Sequence, residues 1–360
     1  MECDIDRYMR PELMRGLAIL SSRSEVEIQS QTLEQTLENI SIREHSTRAQ
    51  PRWLLLPVAK SRRPTKPWTA LCVECLQSDP IPYFRRSWRL AFTTTCSLHQ
   101  VQLIDRCPIC EDPFNFHCLD LSRPFADRAI PVSVCGTCGE DVRDGPKLPL
   151  SSGSLVTRYE RALYAASRRG KCKVKGRGWV YAGALFEVLH RLIGRCRNSR
   201  RMRCLRDEAI DRGQLFPMAD EDVPVGTFPT WDIAARHRAM CGVSALFIDW
   251  PMHFIQSANK FGVTSYDLRG EKKALPYWFD AVVLEHLYRK WWSPSEEERI
   301  SAQTFIRSKG EVASFYNVRR WLGLFYDKKN YVLRWLEKDQ PEQLRLKMRR
   351  IDCFGNWKDC

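Results

Sequence analysis

Residues 72–110 read CVECLQSDPIPYFRRSWRLAFTTTCSLHQVQLIDRCPIC, and residues 135–140 read CGTCGE. Four pairs of soft ligands stand in them, each pair separated by two residues: Cys72 and Cys75, Cys96 and His99, Cys107 and Cys110, Cys135 and Cys138. A two-residue gap lets both side chains turn toward one ion from a tight turn, whose N–H groups help stabilise the thiolates. A structural zinc takes four Cys or His ligands in a tetrahedron. Eight ligands therefore predict two Zn2+ per chain with none left over. The simplest grouping is sequential, the first two pairs on one ion and the last two on the other. A cross-braced grouping, with alternate pairs sharing an ion, fits the same spacing. Pro108 inside CPIC and Gly139 after CGTC suit the turns that such knuckles need.

Other uses of these cysteines fit less well. Disulfides need an oxidising compartment, and the first twenty residues, MECDIDRYMRPELMRGLAIL, carry acids and Pro11 where a signal peptide needs an apolar run. WLLLPVA is too short to span a membrane. A cytoplasmic chain without membrane contact is expected, and fifteen cysteines there favour metal. An iron–sulfur cluster wants closer runs of cysteines, and His99 disfavours one. A catalytic zinc keeps an open position. His117 and Cys118, inside the second loop, could stand in for a knuckle ligand but read better as packed residues beside the site. Cys172, Cys196, Cys204 and Cys241 read as buried apolar thiols.

Outward from the cysteine pairs, 360 residues suffice for two or three domains, and the net charge of +14 points to an acidic partner, nucleic acid first and an anionic membrane surface second. Four segments follow from the patterning: a helical segment over 1–59, a tandem zinc-finger domain over 60–148, a basic helical region over 149–220, and a helical domain over 221–360. ELMRGLAIL and TLEQTLENI carry apolar residues at three- and four-residue spacing. The predicted fold is mainly α with a small zinc-binding α+β module, tandem Cys/His zinc fingers followed by helical, helix-turn-helix-like domains.

The quoted stretch resembles the zinc region of the TniQ family. The resemblance is carried by Cys72, Cys75 and Leu76, by Tyr83, Phe84, Arg85, Trp88 and Arg89, by Cys96 and His99, by Leu103 and Ile104, and by Cys107, Pro108 and Cys110. Val73 stands where many members have proline. The Glu-Ser…Ser-Trp…Arg helix with which the family usually opens has no evident counterpart in residues 1–50. The resemblance implies a non-enzymatic target-selection subunit of a multi-protein bacterial transposon. Such a subunit marks a DNA site and recruits an AAA+ ATPase, which in turn recruits the transposase. Some members read the site through helix-turn-helix domains; others are dimeric adaptors on a CRISPR effector complex. DNA, the ATPase, such an effector and a second copy of the chain are thus the implied partners, in a nucleoid-associated setting.

The charge distribution supports nucleic acid independently. Residues 151–205 hold fourteen Lys or Arg against Glu160 and Glu187 alone, a net of about +12. Lysines and arginines on such a surface displace condensed counterions; the competing reading is a solvated face. Lys171, Lys173, Lys175 and Arg177 stand in RGKCKVKGRG, read as a flexible glycine-bearing loop. Arg197, Arg200, Arg201 and Arg203 stand in RCRNSRRMRCLR, read as the continuation of a helix whose stripe of Leu185, Val188, Leu189, Leu192 and Ile193 faces a core. Arg85, Arg86 and Arg89 could also face phosphates, with Tyr83, Phe84 and Trp88 as a small core behind them.

Toward the C-terminus, HFIQSANKFGVTSYDLRG has a helix pattern, a turn over 261–263, and Thr264 with Asp267 at capping-box spacing. AQTFIRSKGEVASFYNVRRWLG repeats the theme around Gly310. Trp278, Trp291, Trp292, Trp321 and Trp335 read as anchors between helices. No Gly-x4-Gly-Lys-Ser/Thr loop is present, so the chain is not the ATPase of such a system. A DNA-binding transcription regulator, and a nuclease with structural zincs, are the alternative functions.

Overall fold

A computed structural model describes residues 4–41, 52–55, 66–114, 131–150, 154–215, 226–269, 274–287, 296–314 and 317–318. The chain divides into two compact units, Met1–Val282 and Val283–Cys360. The first unit is mainly helical, as the patterning predicts, with two short antiparallel hairpins.

Its N-terminal part is three short helices. Pro11 opens α1 (Pro11–Ser21), which stops at Ser22 in the left-handed region. Ser24 and Glu27 form a capping box at the start of α2 (Glu25–Ser30). In α3 (Glu34–Asn39), Asn39 donates to the Ser167 carbonyl at 2.8 Å.

The metal-binding part follows. Residues 52–55 are threaded through it: Leu54 bridges Leu90, Leu55 N–H donates to the Arg89 carbonyl, and Ala91 N–H donates to that of Trp53. The helix α4 (Val73–Ser78) starts at Cys72, and the two-residue strands β1 (Thr95–Cys96) and β2 (Val101–Gln102) carry the next ligand turn. Leu71, Leu76, Trp88 and Leu103 form one buried cluster with the ligand cysteines.

A helical body completes this unit. It comprises α5 (Leu155–Arg169), the hairpin of β3 (Lys171–Val174) and β4 (Gly178–Tyr181), α6 (Ala182–Asn198), α7 (Arg200–Arg212), α8 (Ile233–Leu246), α9 (Met252–Lys260), α10 (Ser265–Arg269) and α11 (Tyr277–Val282). The predicted stripe of α6 is buried in full. Two expectations are corrected. RGKCKVKGRG is not a flexible loop but a β-hairpin, because Gly176 and Gly178 take positive φ and let alternating strands close on each other. Nor does one helix run on through RCRNSRRMRCLR: Ser199 is extended, accepts from Met202 N–H, and starts α7 afresh.

Helix α8 is the centre, packed on α5, α6 and α7 and buried nearly all round. Two charged side chains clasp the metal-binding part to this body. Arg236 of α8 is fully buried and donates to Asp105 Oδ2 at 3.2 Å, to the Ala91 carbonyl at 3.0 Å and to the Trp231 carbonyl at 3.2 Å. Glu160 of α5 accepts from the N–H groups of Thr94 and Thr95, each at 2.9 Å, and from both hydroxyls. Thr94 Oγ1 also meets His237 Nδ1 at 2.9 Å. Burial pushes the Glu160 carboxyl up to about 7 against those four hydrogen bonds, and pushes His237 down to about 4. Trp53, at the centre of a ring cluster, lies 5.2 Å from Phe186 and 6.1 Å from Phe92.

In the second unit, the described residues form a π-helical turn (Val283–Leu287) and α12 (Glu296–Ser308), which ends before Gly310 at positive φ. Ser314 Oγ accepts from Asn317 N–H. Of the predicted tryptophan anchors, Trp278 is buried; Trp291, Trp292, Trp321 and Trp335 lie outside the described residues.

Candidate metal centres and nucleic-acid interface

The eight predicted ligands come together in two groups, and the grouping is sequential. Cys72, Cys75, Cys96 and His99 form one, and Cys107, Cys110, Cys135 and Cys138 the other, with all donor atoms of a group within 4.8 Å of each other. His117 and Cys118 lie outside the described residues.

The donor spacing supplies a test of fit. A tetrahedral ion with bonds of about 2.3 Å to sulfur puts sulfurs about 3.8 Å apart. Cys75 and Cys96 are 3.6 Å apart, Cys107 and Cys138 3.7 Å, Cys110 and Cys135 3.8 Å. His99 Nδ1 stands 3.3 Å from Cys75, 3.6 Å from Cys72 and 3.7 Å from Cys96. Its other nitrogen, Nε2, is 3.4 Å from Ser78 Oγ, which holds the ring so that Nδ1 presents its lone pair inward. The knuckle turns do what their spacing requires. Cys75 N–H donates to Cys72 Sγ, Ile109 N–H to Cys107 Sγ, and Thr137 N–H to Cys135 Sγ.

Electrostatics point the same way. The sulfurs of Cys72 and Cys96, followed by burial, push the Cys75 thiol far up. Burial, with the three facing sulfurs, does the same for Cys110. Such crowded thiols ionise together only when a cation sits among them. Each group therefore fits a tetrahedral metal ion with no open position. Gly145 backs the second group, since a Cβ there would lie 2.8 Å from the Pro108 ring.

The predicted basic residues separate into two sets. Arg89 is not a phosphate contact: it is 3% exposed, stacked 4.0 Å over the Trp68 ring, and paired with Asp4 and Asp6. Arg86 donates to the Ser30 carbonyl, and Arg85 pairs with Asp79 at 2.9 Å between the rings of Tyr83 and Trp88. All three hold local structure together. Trp88 is core as predicted, with Phe84 packed on it, whereas Tyr83 is exposed.

Lys171, Lys173, Lys175 and Arg177 are exposed on the hairpin, and Arg200 is exposed at the start of α7. Arg201 is exposed too, 3.4 Å from Asp267. Arg197 and Arg203 are half-buried and donate to the carbonyls of Gly226 and Arg197. Of the lone cysteines, Cys196 and Cys241 are buried, but Cys172 and Cys204 are only partly so.

Helices α9 and α10 follow one another across a short turn. Gly262 takes positive φ in the turn, and Thr264 and Asp267 exchange capping-box hydrogen bonds. The described second helix is short, and Asp267 also accepts from Ser199. Sequence reasoning missed Ser78, the Glu160 and Arg236 clasps, and two aromatic residues beside the hairpin lysines, Trp179 and Tyr181. The alternation in KCKV and GWVY around a glycine turn was a signal that could have found the last two.

The described residues thus make a mainly helical protein with two closed Cys/His groups that fit a metal ion and an exposed basic hairpin. Residues 2–103 match the family model TniQ, so the chain carries a TniQ domain, a transposition-associated target-selection module. The match begins at residue 2 and so takes in the N-terminal helices, in which the sequence alone offered no counterpart of the family's opening motif. It includes the first metal group and ends before the second. No curated protein and no solved structure matches the chain. No helix among the described residues is long and apolar enough to cross a membrane.

Proposed function

We propose that the chain is a non-enzymatic, zinc-stabilised DNA-targeting adaptor of a bacterial multi-protein transposon, working in the cytoplasm on the nucleoid. It marks the target site, directly or through a CRISPR effector complex, and recruits an AAA+ ATPase. The observation that carries this reading is the match to TniQ over a segment that contains a fully formed Cys3His group.

Zinc is the ion proposed for both groups. Thiolate-rich tetrahedral sites with closed coordination suit it, and sulfur spacings of 3.6–3.8 Å suit its bond lengths. DNA is proposed to contact the exposed Lys171, Lys173, Lys175, Arg177 and Arg200. The N-terminal helices, pinned to the metal-binding part by Arg89, are proposed to meet the ATPase.

The test is capture of the AAA+ ATPase of the proposed transposon, with DNA and nucleotide present. Wild type should retain it. A Lys171→Glu, Lys173→Glu variant should retain it as well, and a Cys107→Ala, Cys110→Ala variant should lose it. A wild-type protein that binds DNA yet never retains the ATPase would favour a transcription regulator instead.

A further inference from the structure

We infer that the outward face of the β3–β4 hairpin is a base-stacking platform for single-stranded nucleic acid, with Trp179 and Tyr181 as the stacking residues. The inference rests on the nucleic-acid reading of the basic surface and adds to it the residues and the strand preference.

The hairpin has two distinct faces. Val174 and Val180 are buried and Cys172 is half-buried, on the side that packs against α5 and α6. Lys171, Lys173, Trp179 and Tyr181 alternate with them and are exposed. Register sets Lys171 opposite Tyr181 and Lys173 opposite Trp179. The outward face is therefore a column of two lysines beside a column of two aromatic rings. Lys171 Nζ lies 5.1 Å from the Trp179 ring centroid, and Lys175 and Arg177 are exposed in the turn at the end of these columns.

Trp179 is 66% exposed and Tyr181 62%, whereas Trp53, Trp88, Trp231, Trp250 and Trp278 are all buried. The core takes up these other tryptophans well and leaves Trp179 in water. Side chains two residues apart on one strand stand about 6.8 Å from each other. That spacing suits successive bases of an extended, unpaired strand. A duplex hides its base faces inside the stack and offers only edges and phosphates. Aromatic rings that accept base faces therefore select unpaired strands, and they do so without regard to sequence. The rings alone would also suit an apolar protein surface. The lysine column beside them, in a segment with a net charge of about +12, makes the face complementary to a phosphate backbone instead.

The experiment measures binding of the full-length, metal-loaded protein to labelled oligothymidylate, oligouridylate and a duplex of equal length, across a range of salt. Trp179→Ala should weaken single-strand binding roughly tenfold and duplex binding by less than about twofold. Its salt slope should not change, because the substitution removes no cation from the phosphate backbone. Trp179→Phe should restore most of the affinity. Lys171→Glu with Lys173→Glu should weaken both substrates and flatten both slopes. The ratio of thymidylate to uridylate affinity tells whether the strand is DNA or RNA.

Equal loss on single strand and duplex for Trp179→Ala, no loss at all, or a wild-type protein that ignores single strands each overturns the inference. So does a Trp179→Ala variant that keeps nucleic-acid affinity but loses ATPase capture, which would make the face a protein-docking site. If the lysine reversals act and Trp179→Ala does not, only the stacking falls. If the lysine reversals change nothing while the wild type binds, the basic-surface reading itself fails.

Discussion

Arg236 and Asp105 form an ion pair at 3.2 Å across 131 residues of sequence, with neither side chain open to solvent. Burial holds the Arg236 guanidinium below its ordinary value and the Asp105 carboxyl above its own, so for both partners desolvation outweighs the attraction of the other. A pair of that kind adds little net stability but penalises any arrangement that separates it. It fixes how the metal-binding part sits on the central helix.

Asp105→Ala should therefore cost about 3–5 kcal/mol, since it leaves a buried guanidinium without its counter-charge. A double variant, Asp105→Leu with Arg236→Met, should recover much of the loss. Urea unfolding of wild type and the two variants checks this. A single-variant cost below about 1 kcal/mol would mean that the pair is not what locates the module.

Arg89→Ala should release the N-terminal segment, because Asp4 and Asp6 lose the buried cation they share and Trp68 its stacked partner. Proteolysis near residues 4–10 should become faster, and stability should fall by about 3 kcal/mol. Affinity for DNA should stay within about twofold of wild type, the opposite of what a phosphate contact gives.

Metal analysis should find two zinc ions per chain, and the Cys107→Ala, Cys110→Ala variant should keep one, because the groups share no ligand. Chelation should unfold the metal-binding part, whose interior is built around the ligands themselves. Ser78→Ala should weaken the first site alone, by about tenfold, through loss of the His99 Nε2 partner. Loss from both sites in either variant would contradict separate centres.

His237 and Glu160 should give opposing pH dependences. His237, lowered from 6.5 to about 4, contributes stability that is full above 6.5 and lost as pH falls toward 4. Glu160, raised from 4.5 to about 7, contributes stability that is full below 4.5 and lost as pH rises through 7. Between pH 4.5 and 6.5 the two slopes nearly cancel. His237→Gln removes the first, so its stability relative to wild type should fall by about 1.4 kcal/mol for each unit of rising pH. A difference between variant and wild type that stays flat across this window would show that His237 is not held neutral.

Reversal of Lys171, Lys173, Lys175 and Arg177 together should flatten the salt dependence of duplex binding by roughly 0.9 for each phosphate that is no longer neutralised. A slope that does not move, with the fold intact, would make the hairpin a solvated face.

The ligand pairs were legible at once, because two-residue spacing is a local property and a knuckle needs nothing from the rest of the chain. So were α1, the stripe of α6, and the Thr264–Asp267 cap, each set by residues within a turn or two of one another. The grouping of the pairs was not legible, since sequential and cross-braced ligation satisfy the same spacing and only the folded positions of the four turns separate them. The fate of the arginines was equally hidden. Arg89 and Lys173 have the same charge, yet one is sealed by Asp4 and Asp6 and the other stands in water.

The sequence by itself determined the eight ligands, the helical class, the excess of positive charge and the resemblance of residues 72–110 to a known zinc region. All of these rest on composition and short-range spacing. Tertiary structure decided which charges are structural and which are presented, by bringing together partners as distant as Asp105 and Arg236. It also decided that a glycine-bearing basic run is a hairpin with Trp179 and Tyr181 on its open side. The physical reason is that a strand's outward face is defined only by what covers its inner one, and α5 and α6 do that covering.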